Sequence, residues 1–345
     1  MIAAILIGVA ALLVALEVFS LRAIENVGLT FEADHSLTAP GEEIVLRYTV
    51  SNASFLPIMY TALSVYFDGK VVVRESEQWK KDNVFQDFSG VYVDRKLFLP
   101  PHRRVSGRIR FSYENRGVHE IGRIYLETGD YLGLRSVVRS PKGGSKIVCT
   151  APLSDQDLEL TPFGGLLGEV SVLRFLHEDP CLVAGYREYT GREPMKQISW
   201  TQTAKTGELM VKLQDHTADA DVAVLVELGA GSSDTCERCL ALTRSVCEFL
   251  EERKIPYELI SNGDLGFSAK GLGKGHLYPI LRAIGLSSNT GYTGFADAVE
   301  RCILEKRPDR TFIVISPDLE EKLLQRLQAK SEHRVFVLGR EEAES

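Results

Sequence analysis

The stretch YREYTGREPMKQISWTQTAKTGELMVK, residues 186–212, is the one around which the rest of the chain is organised. Gly191 breaks the chain after a run rich in aromatic and basic residues, Pro194 favours the start of a helical turn, and Gly207 ends it. From Leu209 onward apolar and polar residues alternate, which is typical of a half-buried strand. The segment therefore predicts a loop, a short helix, a turn and a strand.

Several side chains of this segment can fix a loop or anchor a partner. They are Arg187, Tyr189, Arg192 and Trp200. One interpretation is an ordered loop that braces a sheet. The other is a docking surface for a protein partner, because Tyr, Trp and Arg are the residue types that dominate interface anchors.

The segment also carries a family pattern. Arg187, Tyr189 and Gly191 are followed by a second set of matching residues: Ile198, Trp200, Ala204, Lys205, Gly207, Leu209, Val211 and Lys212. Together they resemble the signature of the domain of unknown function 58 family. The family usually has an acidic residue after the loop glycine, whereas this chain has Arg192 at that position. The resemblance implies a membrane anchor, a β-sandwich and a von Willebrand factor A-like domain.

Size and composition indicate a folded protein of about two domains after an anchor. The chain has 345 residues, 44% hydrophobic and 25% charged, with a formal net charge of −7. No long run of Lys and Arg offers a footprint for phosphates, so nucleic acid is not an expected partner. The six cysteines favour free thiols in a reducing compartment; they are Cys149, Cys181, Cys236, Cys239, Cys247 and Cys302.

Residues 1–21, MIAAILIGVAALLVALEVFSL, are apolar except for Glu17 and Ser20. About 20 such residues are needed to cross a bilayer, so a single transmembrane anchor over residues 1–22 is expected. A cleaved signal peptide and a buried core helix are the alternatives. Members of the family commonly carry two spans here, whereas this chain shows one. Arg22 flanks the span and favours a body on the cytoplasmic side of the cell membrane.

Residues 23–152 are predicted to form a β-sandwich with an immunoglobulin-like outline. Short segments of alternating polarity recur between turn residues, and Asp68-Gly69 indicates a hairpin before Val71. The segments are residues 44–50, 63–67, 71–73, 95–99, 105–113, 123–127 and 146–150.

Two motifs extend the resemblance into this β-rich part. Residues 115–117 read Asn-Arg-Gly, and residues 130–134 read Asp-Tyr-Leu-Gly-Leu, similar to an arginine-glycine turn and an Asp-x-x-Gly-Leu corner of the family. Glycine permits a turn at both places, and we expect Arg116 and Asp130 to cap or pair there.

Residues 153–345 are predicted to form a doubly wound α/β domain that contains the signature segment. Residues 222–228 form a continuous apolar run, typical of a parallel strand buried on both faces, and residues 310–316 are predicted to form a second continuous buried strand. Strands at 257–261 and 334–338 alternate with helices. The helices are expected at residues 234–254, 277–284, 295–305 and 319–330.

A von Willebrand A-like domain would carry a metal site at the carboxyl edge of this sheet. Mg²⁺ prefers hard oxygen ligands from short side chains. The corresponding positions are Glu227, Gly229, Gly231, Thr293 and Asp318. Two hydroxyls are replaced by glycine and the first carboxylate is one methylene longer. The sequence therefore predicts a degenerate site and no cofactor.

Two loops offer alternatives to this interpretation. Ser232, Ser233 and Asp234 could supply the missing oxygens if their loop shifted its register. The glycines of residues 263–275, with Lys270 and Lys274, could suggest phosphate binding. They lack the Gly-Lys-Ser/Thr ending of a P-loop, so a flexible hairpin is expected.

Two thiol constellations are also present. Cys236-x-x-Cys239 lies on the apolar line of a predicted helix, which favours packing over zinc or redox chemistry. His177, Glu178 and Cys181 could be arranged as a thiol hydrolase, but nothing in the sequence marks an oxyanion hole.

The sequence thus predicts a non-catalytic, membrane-anchored interaction protein. The resemblance implies a MoxR-type AAA ATPase and a transglutaminase-like membrane protein as partners, in cell-envelope or complex assembly. The lipid bilayer is a partner through residues 1–21. A divalent-metal-dependent ligand-binding module and a thiol hydrolase are the alternatives. The expected interaction residues are Arg187, Tyr189, Gly191, Arg192, Trp200, Lys205 and Lys212.

Overall fold

The computed structural model describes residues 2–74, 83–87, 89–121, 123–141, 143–154, 178–191, 195, 198–216, 221–304, 310–330 and 335–339. The chain forms two compact units. The first comprises Met1–Pro152 with Leu281–Ser287, and the second comprises Leu153–Ile280 with Ser288–Ser345. An N-terminal apolar helix precedes a body that contains several β-sheets.

The helices of the described residues are α1 (Ile2–Glu25), α2 (Trp200–Thr206), α3 (Ser233–Glu252), α4 (Lys274–Leu286), α5 (Phe295–Leu304) and α6 (Glu321–Lys330). The strands that precede α2 are β1 (Val27–Ala33), β2 (Leu37–Thr38), β3 (Ile44–Asn52), β4 (Ile58–Asp68), β5 (Val71–Arg74), β6 (Asn83–Asp87), β7 (Gly90–Leu99), β8 (Arg104–Tyr113), β9 (Gly117–Ile121), β10 (Arg123–Gly129), β11 (Ser136–Arg139), β12 (Ser145–Cys149) and β13 (Glu178–Glu188). Those that follow are β14 (Met210–His216), β15 (Asp221–Val226), β16 (Tyr257–Ser261), β17 (Phe267–Gly271), β18 (Arg310–Ile315) and β19 (Val335–Leu338).

Helix α1 contains a stretch, Ile5–Glu25, that is long and apolar enough to cross a membrane. A signal sequence near an N-terminus meets the same criterion. Apolar side chains of α1 from Ile5 to Leu12 are exposed, whereas Ser20, Ala23 and Ile24 near its end are buried. Its last part therefore belongs to the folded body of the first unit.

The first unit is a β-sandwich. One sheet has the order β1-β3-β8-β5, a second has the order β11-β10-β4-β7-β6, and a third, smaller sheet has the order β2-β12-β9. Residues that alternate along the strands share one core, among them Leu46 of β3, Val65 of β4, Phe111 of β8 and Leu126 of β10. Burial of these apolar residues from both large sheets is the main stabilising contribution.

The turn at Asp68 and Gly69 does not form the predicted hairpin. Gly69 has a φ of 73°, as a tight turn requires. The chain then crosses to the other large sheet, where β5 pairs antiparallel with β8 rather than with β4. Phe67 and Val71 on either side of the turn both enter the shared core, and this burial favours the crossing.

Both corner motifs of the sandwich have structural roles, as predicted. The Asp130 carboxylate accepts hydrogen bonds from the amides of Leu134 at 2.9 Å and Arg135 at 2.8 Å. Arg116 donates to the carbonyl oxygen of Ile284 at 2.8 Å, within the Leu281–Ser287 part of the same unit. These contacts fix a turn and the end of a helix, respectively.

The second unit contains a five-stranded sheet of order β17-β16-β15-β18-β19. Strand β15 pairs parallel with β16 and β18, and β18 pairs parallel with β19. Strand β17 adds an antiparallel edge next to β16, so the predicted glycine-rich hairpin is present. Helices α5 and α6 pack on Leu225 and Phe312. Val224 and Ile313, which alternate with them, are also buried.

Candidate functional site

The signature segment folds around a two-stranded antiparallel hairpin of β13 and β14, in which Arg187 lies opposite Val211. Ile198 forms an additional bridge to Val211, and both side chains are buried. The Tyr189 amide donates to the carbonyl oxygen of Leu209 at 2.8 Å. These contacts tie the loop after β13 to the strand that follows α2.

Helix α2 begins later than the turn predicted at Pro194, which lies outside the described residues. Ser199 donates its amide to the carbonyl oxygen of Met210 at 2.8 Å, which holds residues 198–199 extended along β14. The helix therefore starts at Trp200. It ends at Gly207 as predicted, where φ is 79° and the amide donates to the Thr203 carbonyl oxygen.

This arrangement leaves large side chains in solvent. Trp200 is 61% exposed and Met195 is 69% exposed, and Tyr186 and Leu209 are also exposed. The side chains of Arg187, Lys205 and Lys212 are exposed as well. We call these seven residues the signature surface; because Tyr186 pairs with Lys212 and Arg187 pairs with Val211, they are distributed over both faces of the hairpin. Exposed apolar residues among positive charges are typical of interaction sites.

The remaining signature residues have other placements. Tyr189 is partly buried, and its backbone pairs with Leu209. Gly191 has a φ of 88°, so it holds a backbone conformation that favours glycine. Arg192 lies outside the described residues. The sequence prediction thus combined solvent-facing residues with residues that only shape the loop.

The carboxyl edge of the parallel sheet holds the positions proposed for a degenerate metal site. The Ser316 hydroxyl donates a hydrogen bond to the Glu227 carboxylate. Burial raises the pKa of Glu227 above its ordinary value, the bond from Ser316 acts against that rise, and the charges of Asp318 and Glu320 add to it. The surroundings of Glu227 therefore disfavour the charged form of its carboxyl group.

A loop at residues 288–294 covers this edge. Asn262, directly after β16, accepts from the Leu228 amide at 2.8 Å and donates to the Leu228 carbonyl oxygen at 3.1 Å. Its own carbonyl oxygen accepts from the amides of Tyr292 and Thr293. The Thr293 hydroxyl, proposed as a metal ligand, donates to the same oxygen at 3.3 Å.

Glycines allow this close approach of backbone to backbone. A Cβ on Gly291 would lie 2.6 Å from the Leu228 carbonyl oxygen, and one on Gly263 would lie 2.1 Å from that of Thr290. Gly229 has a φ of 82°, and a Cβ there would lie 3.0 Å from the Gly291 amide. Protein backbone therefore fills the part of the edge where β15 and β16 end.

The residues that could have replaced the missing ligands serve as a helix cap. Gly231 has a φ of 81°, and Ser232 at the start of α3 accepts a hydrogen bond from the Thr235 amide at 3.2 Å. This is the usual N-cap arrangement. Within the described part of the chain, no group of three His, Cys, Asp or Glu side chains is arranged to hold a metal.

The Cys236-x-x-Cys239 motif is part of the packing of α3. Both side chains are buried, and the described cysteines are free thiols. Burial, followed by the nearby Cys236 and Glu227, raises the pKa of the Cys239 thiol to about 11. Burial likewise raises the pKa of Cys247 to about 12. Such thiols are largely protonated at neutral pH and are poor nucleophiles.

The proposed thiol-hydrolase residues are not brought together by anything the structure describes. His177 lies outside the described residues. Glu178 and Cys181 lie on β13, and their side chains are outside the described part.

A triad-like group that sequence reasoning missed is formed by Ser268, His276 and Glu251. The Ser268 hydroxyl lies 2.9 Å from Nε2 of His276, but Nε2 also lies 2.9 Å from the Ala269 carbonyl oxygen. A carbonyl only accepts, so Nε2 carries the proton and is no base for Ser268. Nδ1 is 3.7 Å from Glu251, too far for a hydrogen bond. These contacts therefore support a structural role for the three residues and not a catalytic triad.

Comparison with known proteins adds little. No family model and no curated protein matches the chain. Among similar solved structures is AvmM, described as catalysing macrocyclization in alchivemycin A biosynthesis, at 15% identity over 38% of this chain and 93% of that chain, with a TM-score of 0.25. The major pilin subunit BcpA of Bacillus cereus has 7% identity over 38% of this chain and 44% of that chain, with a TM-score of 0.28.

A type II cohesin domain from the cellulosome of Acetivibrio cellulolyticus is also similar, at 10% identity over 35% of this chain and 95% of that chain. Its TM-score is 0.27. At these identities and TM-scores the likeness supports no conclusion about function.

Proposed function

We propose that this chain is a membrane-anchored, non-catalytic protein-interaction protein of the domain of unknown function 58 type. Its second unit would then be a von Willebrand factor A-like domain, and its sandwich immunoglobulin-like. The observation that carries the proposal is the signature surface. Trp200 is 61% exposed on a short helix that the Ile198–Val211 bridge and the Gly207 cap hold in place.

The state of the carboxyl edge supports binding of proteins over binding through a metal ion. In this proposal the loop at residues 288–294 takes the space where a ligand-bearing ion would sit. The Thr293 hydroxyl and the Ser232 hydroxyl are engaged in hydrogen bonds within the protein. The interaction function is therefore assigned to the signature surface.

The anchor is assigned to α1, with the soluble units on the cytoplasmic side. Ser20, Ala23 and Ile24 are buried in the sandwich, and Ile24 belongs to its core. Cleavage within or after these turns would remove core residues, which supports a retained anchor over a cleaved signal peptide. Intact mass measurement of the membrane-extracted protein tests this point.

The proposed partner is a MoxR-type AAA ATPase, in assembly work at the cell envelope that could include a transglutaminase-like membrane protein. The test is crosslinking in intact membranes followed by purification in detergent, comparing the native chain with Trp200→Ala. The control is Phe267→Ala, because Phe267 is an equally exposed aromatic residue on β17 of the same unit. We expect recovery of the ATPase to fall with Trp200→Ala only.

Two results would contradict the proposal. One is that no ATPase is recovered with the native chain. The other is that Trp200→Ala and Phe267→Ala reduce its recovery equally, because the signature surface would then have no special part in binding.

A further inference from the structure

Two loops of the sandwich contact α1 at one level along the helix. The ring of Phe55, in the loop between β3 and β4, lies 5.9 Å from that of Phe19 in an edge-to-face arrangement. The amide of Tyr131, in the loop between β10 and β11, donates to the Ser20 hydroxyl at 3.1 Å. The sandwich therefore meets the helix at residues 19–20.

That level coincides with the end of a membrane-spanning length. At about 1.5 Å per residue, the helix from Ile2 to Phe19 is about 27 Å long. The hydrocarbon core of a bilayer is about 30 Å thick. If α1 spans the bilayer, as proposed above, the loops that contact Phe19 and Ser20 lie at the boundary between acyl chains and headgroups.

The same loops expose large apolar side chains. Leu134 is 73% exposed and Phe55 is 64% exposed, and Leu132 beside them is also exposed. We call Phe55, Leu132 and Leu134 the ledge. Isolated exposed apolar residues are common on soluble proteins, but these three occupy the two loops that contact the apolar helix.

The ledge is held in place by hydrogen bonds. The Tyr131 hydroxyl donates to the Pro57 carbonyl oxygen at 2.5 Å, which links the two loops. Asp130 accepts from the amides of Leu134 and Arg135.

Basic residues surround the ledge although the chain as a whole carries a net charge of −7. The turn between β7 and β8 lies at this end, because the Asn52 amide donates to the Arg103 carbonyl oxygen at 2.9 Å. The side chains of Arg103 and Arg104 are exposed there, as are Arg22 on α1 and Arg135 on the Asp130 loop. The acidic residues on these segments are Glu17 and Glu25 of α1 and Asp130, whose carboxylate accepts from the Leu134 and Arg135 amides.

We propose that the ledge inserts into the interface of the bilayer that α1 spans, with the surrounding arginines on the phosphates of anionic lipids. Aromatic and aliphatic side chains favour this boundary when they adjoin a span. Nearby cations add electrostatic attraction to an anionic surface. The sandwich is then fixed relative to the membrane by two loops as well as by the helix, which sets the direction in which it presents its other surfaces.

The experiment uses the full chain in its own membrane. A benzoylphenylalanine photo-crosslinker is placed at Leu134, at Phe55 or, as a control, at Phe85, and adducts are identified by mass spectrometry. Phe85 is also exposed and pairs with Tyr92 near the start of β7. At about 3.3 Å per residue this is about 20 Å from the ledge end of β7. Retention after carbonate washing is measured on the same samples.

We expect phospholipid adducts when the crosslinker is at Leu134 or Phe55, and none when it is at Phe85. If the chain stays in the membrane after the carbonate wash but gives no lipid adduct at either ledge position, or gives peptide adducts there instead, the proposal that the ledge inserts into the bilayer is wrong and the membrane anchor is still supported. A chain released by carbonate overturns both. In a second arm the chain is reconstituted in vesicles of equal parts phosphatidylcholine and phosphatidylglycerol. There, Arg103→Glu with Arg135→Glu should lower the adduct yield at Leu134, and an unchanged yield contradicts the role given to the arginines.

Discussion

A buried ion pair at the amino ends of the parallel strands offers a quantitative test of the second unit. Arg310 begins β18 and is 1% exposed, and Glu258 in β16 is 2% exposed. The Arg310 guanidinium donates to the Glu258 carboxylate, and its Nη1 lies 3.3 Å from the sulfur of Cys302. Across β15, Ala223 is in register with Glu258 and Asp221 is in register with Arg310, so the ion pair crosses this strand diagonally.

We predict that Glu258→Gln strongly destabilises this sheet. The amide keeps the shape of the side chain but removes the counterion of a buried guanidinium, and breaking one side of a buried pair costs about 3–5 kcal/mol. Since about 1.4 kcal/mol is a factor of ten, local opening should become about two to four orders of magnitude more frequent. Replacing both partners with apolar residues, as Glu258→Leu with Arg310→Met, should recover most of this loss.

The assay is hydrogen–deuterium exchange of the full chain in detergent, read on peptides from β15, β16 and β18. The control is Glu300→Gln, which removes an ion pair with Arg326 whose side chains are 48% and 60% exposed. Exposed pairs contribute little, so exchange should change a few-fold at most. If Glu258→Gln accelerates exchange no more than Glu300→Gln, the Arg310–Glu258 pair does not stabilise the sheet as its burial indicates.

Three further outcomes are expected. Burial raises the pKa of Glu227 above its ordinary 4.5, so between pH 4.5 and the higher folded pKa the folded state binds more protons than the unfolded state. Stability therefore falls as pH rises through that window. In thermal melts, Glu227→Gln should raise Tm at neutral pH and make Tm depend less on pH. Gly291→Ala should cost about 1–3 kcal/mol in urea unfolding because its Cβ would overlap the Leu228 carbonyl oxygen, whereas Gly275→Ala, with nothing within 4 Å, should cost nothing. Calorimetry with Mg²⁺ and Mn²⁺ should show no saturable binding, and a tight single site would contradict the filled edge.

Much of the second unit could be read from the sequence because its strands are buried on both faces. The apolar run at residues 310–316 predicted β18, observed as Arg310–Ile315, and the run at residues 222–228 predicted β15, observed as Asp221–Val226. Period and composition suffice for such strands. They do not show where the strand ends, because Leu228 stays buried while its backbone leaves the sheet to bond Asn262.

Contacts between residues far apart in the chain could not be predicted from the sequence. Arg310 is the first residue of β18 and Glu258 is the second residue of β16, and neither position indicates that the two side chains meet across β15. The turn at Gly69 was recognisable from its dipeptide, but which sheet the next strand joins depends on where Val71 is buried. Helix α2 starts late because Ile198 pairs with Val211, a contact that local helix signals cannot reveal.

The polar groups of the α/β sheet explain why its function is assigned outside the sheet. In a parallel sheet the carboxyl edge is the usual place for ligands, and here Asn262 and the glycines around Gly291 fill it with internal hydrogen bonds. At the opposite end, the Arg310–Glu258 pair satisfies two buried charges with each other. Strong hydrogen-bonding groups at both ends are thus engaged within the protein. Trp200 is exposed on α2, and the proposed interaction is therefore assigned to the signature surface.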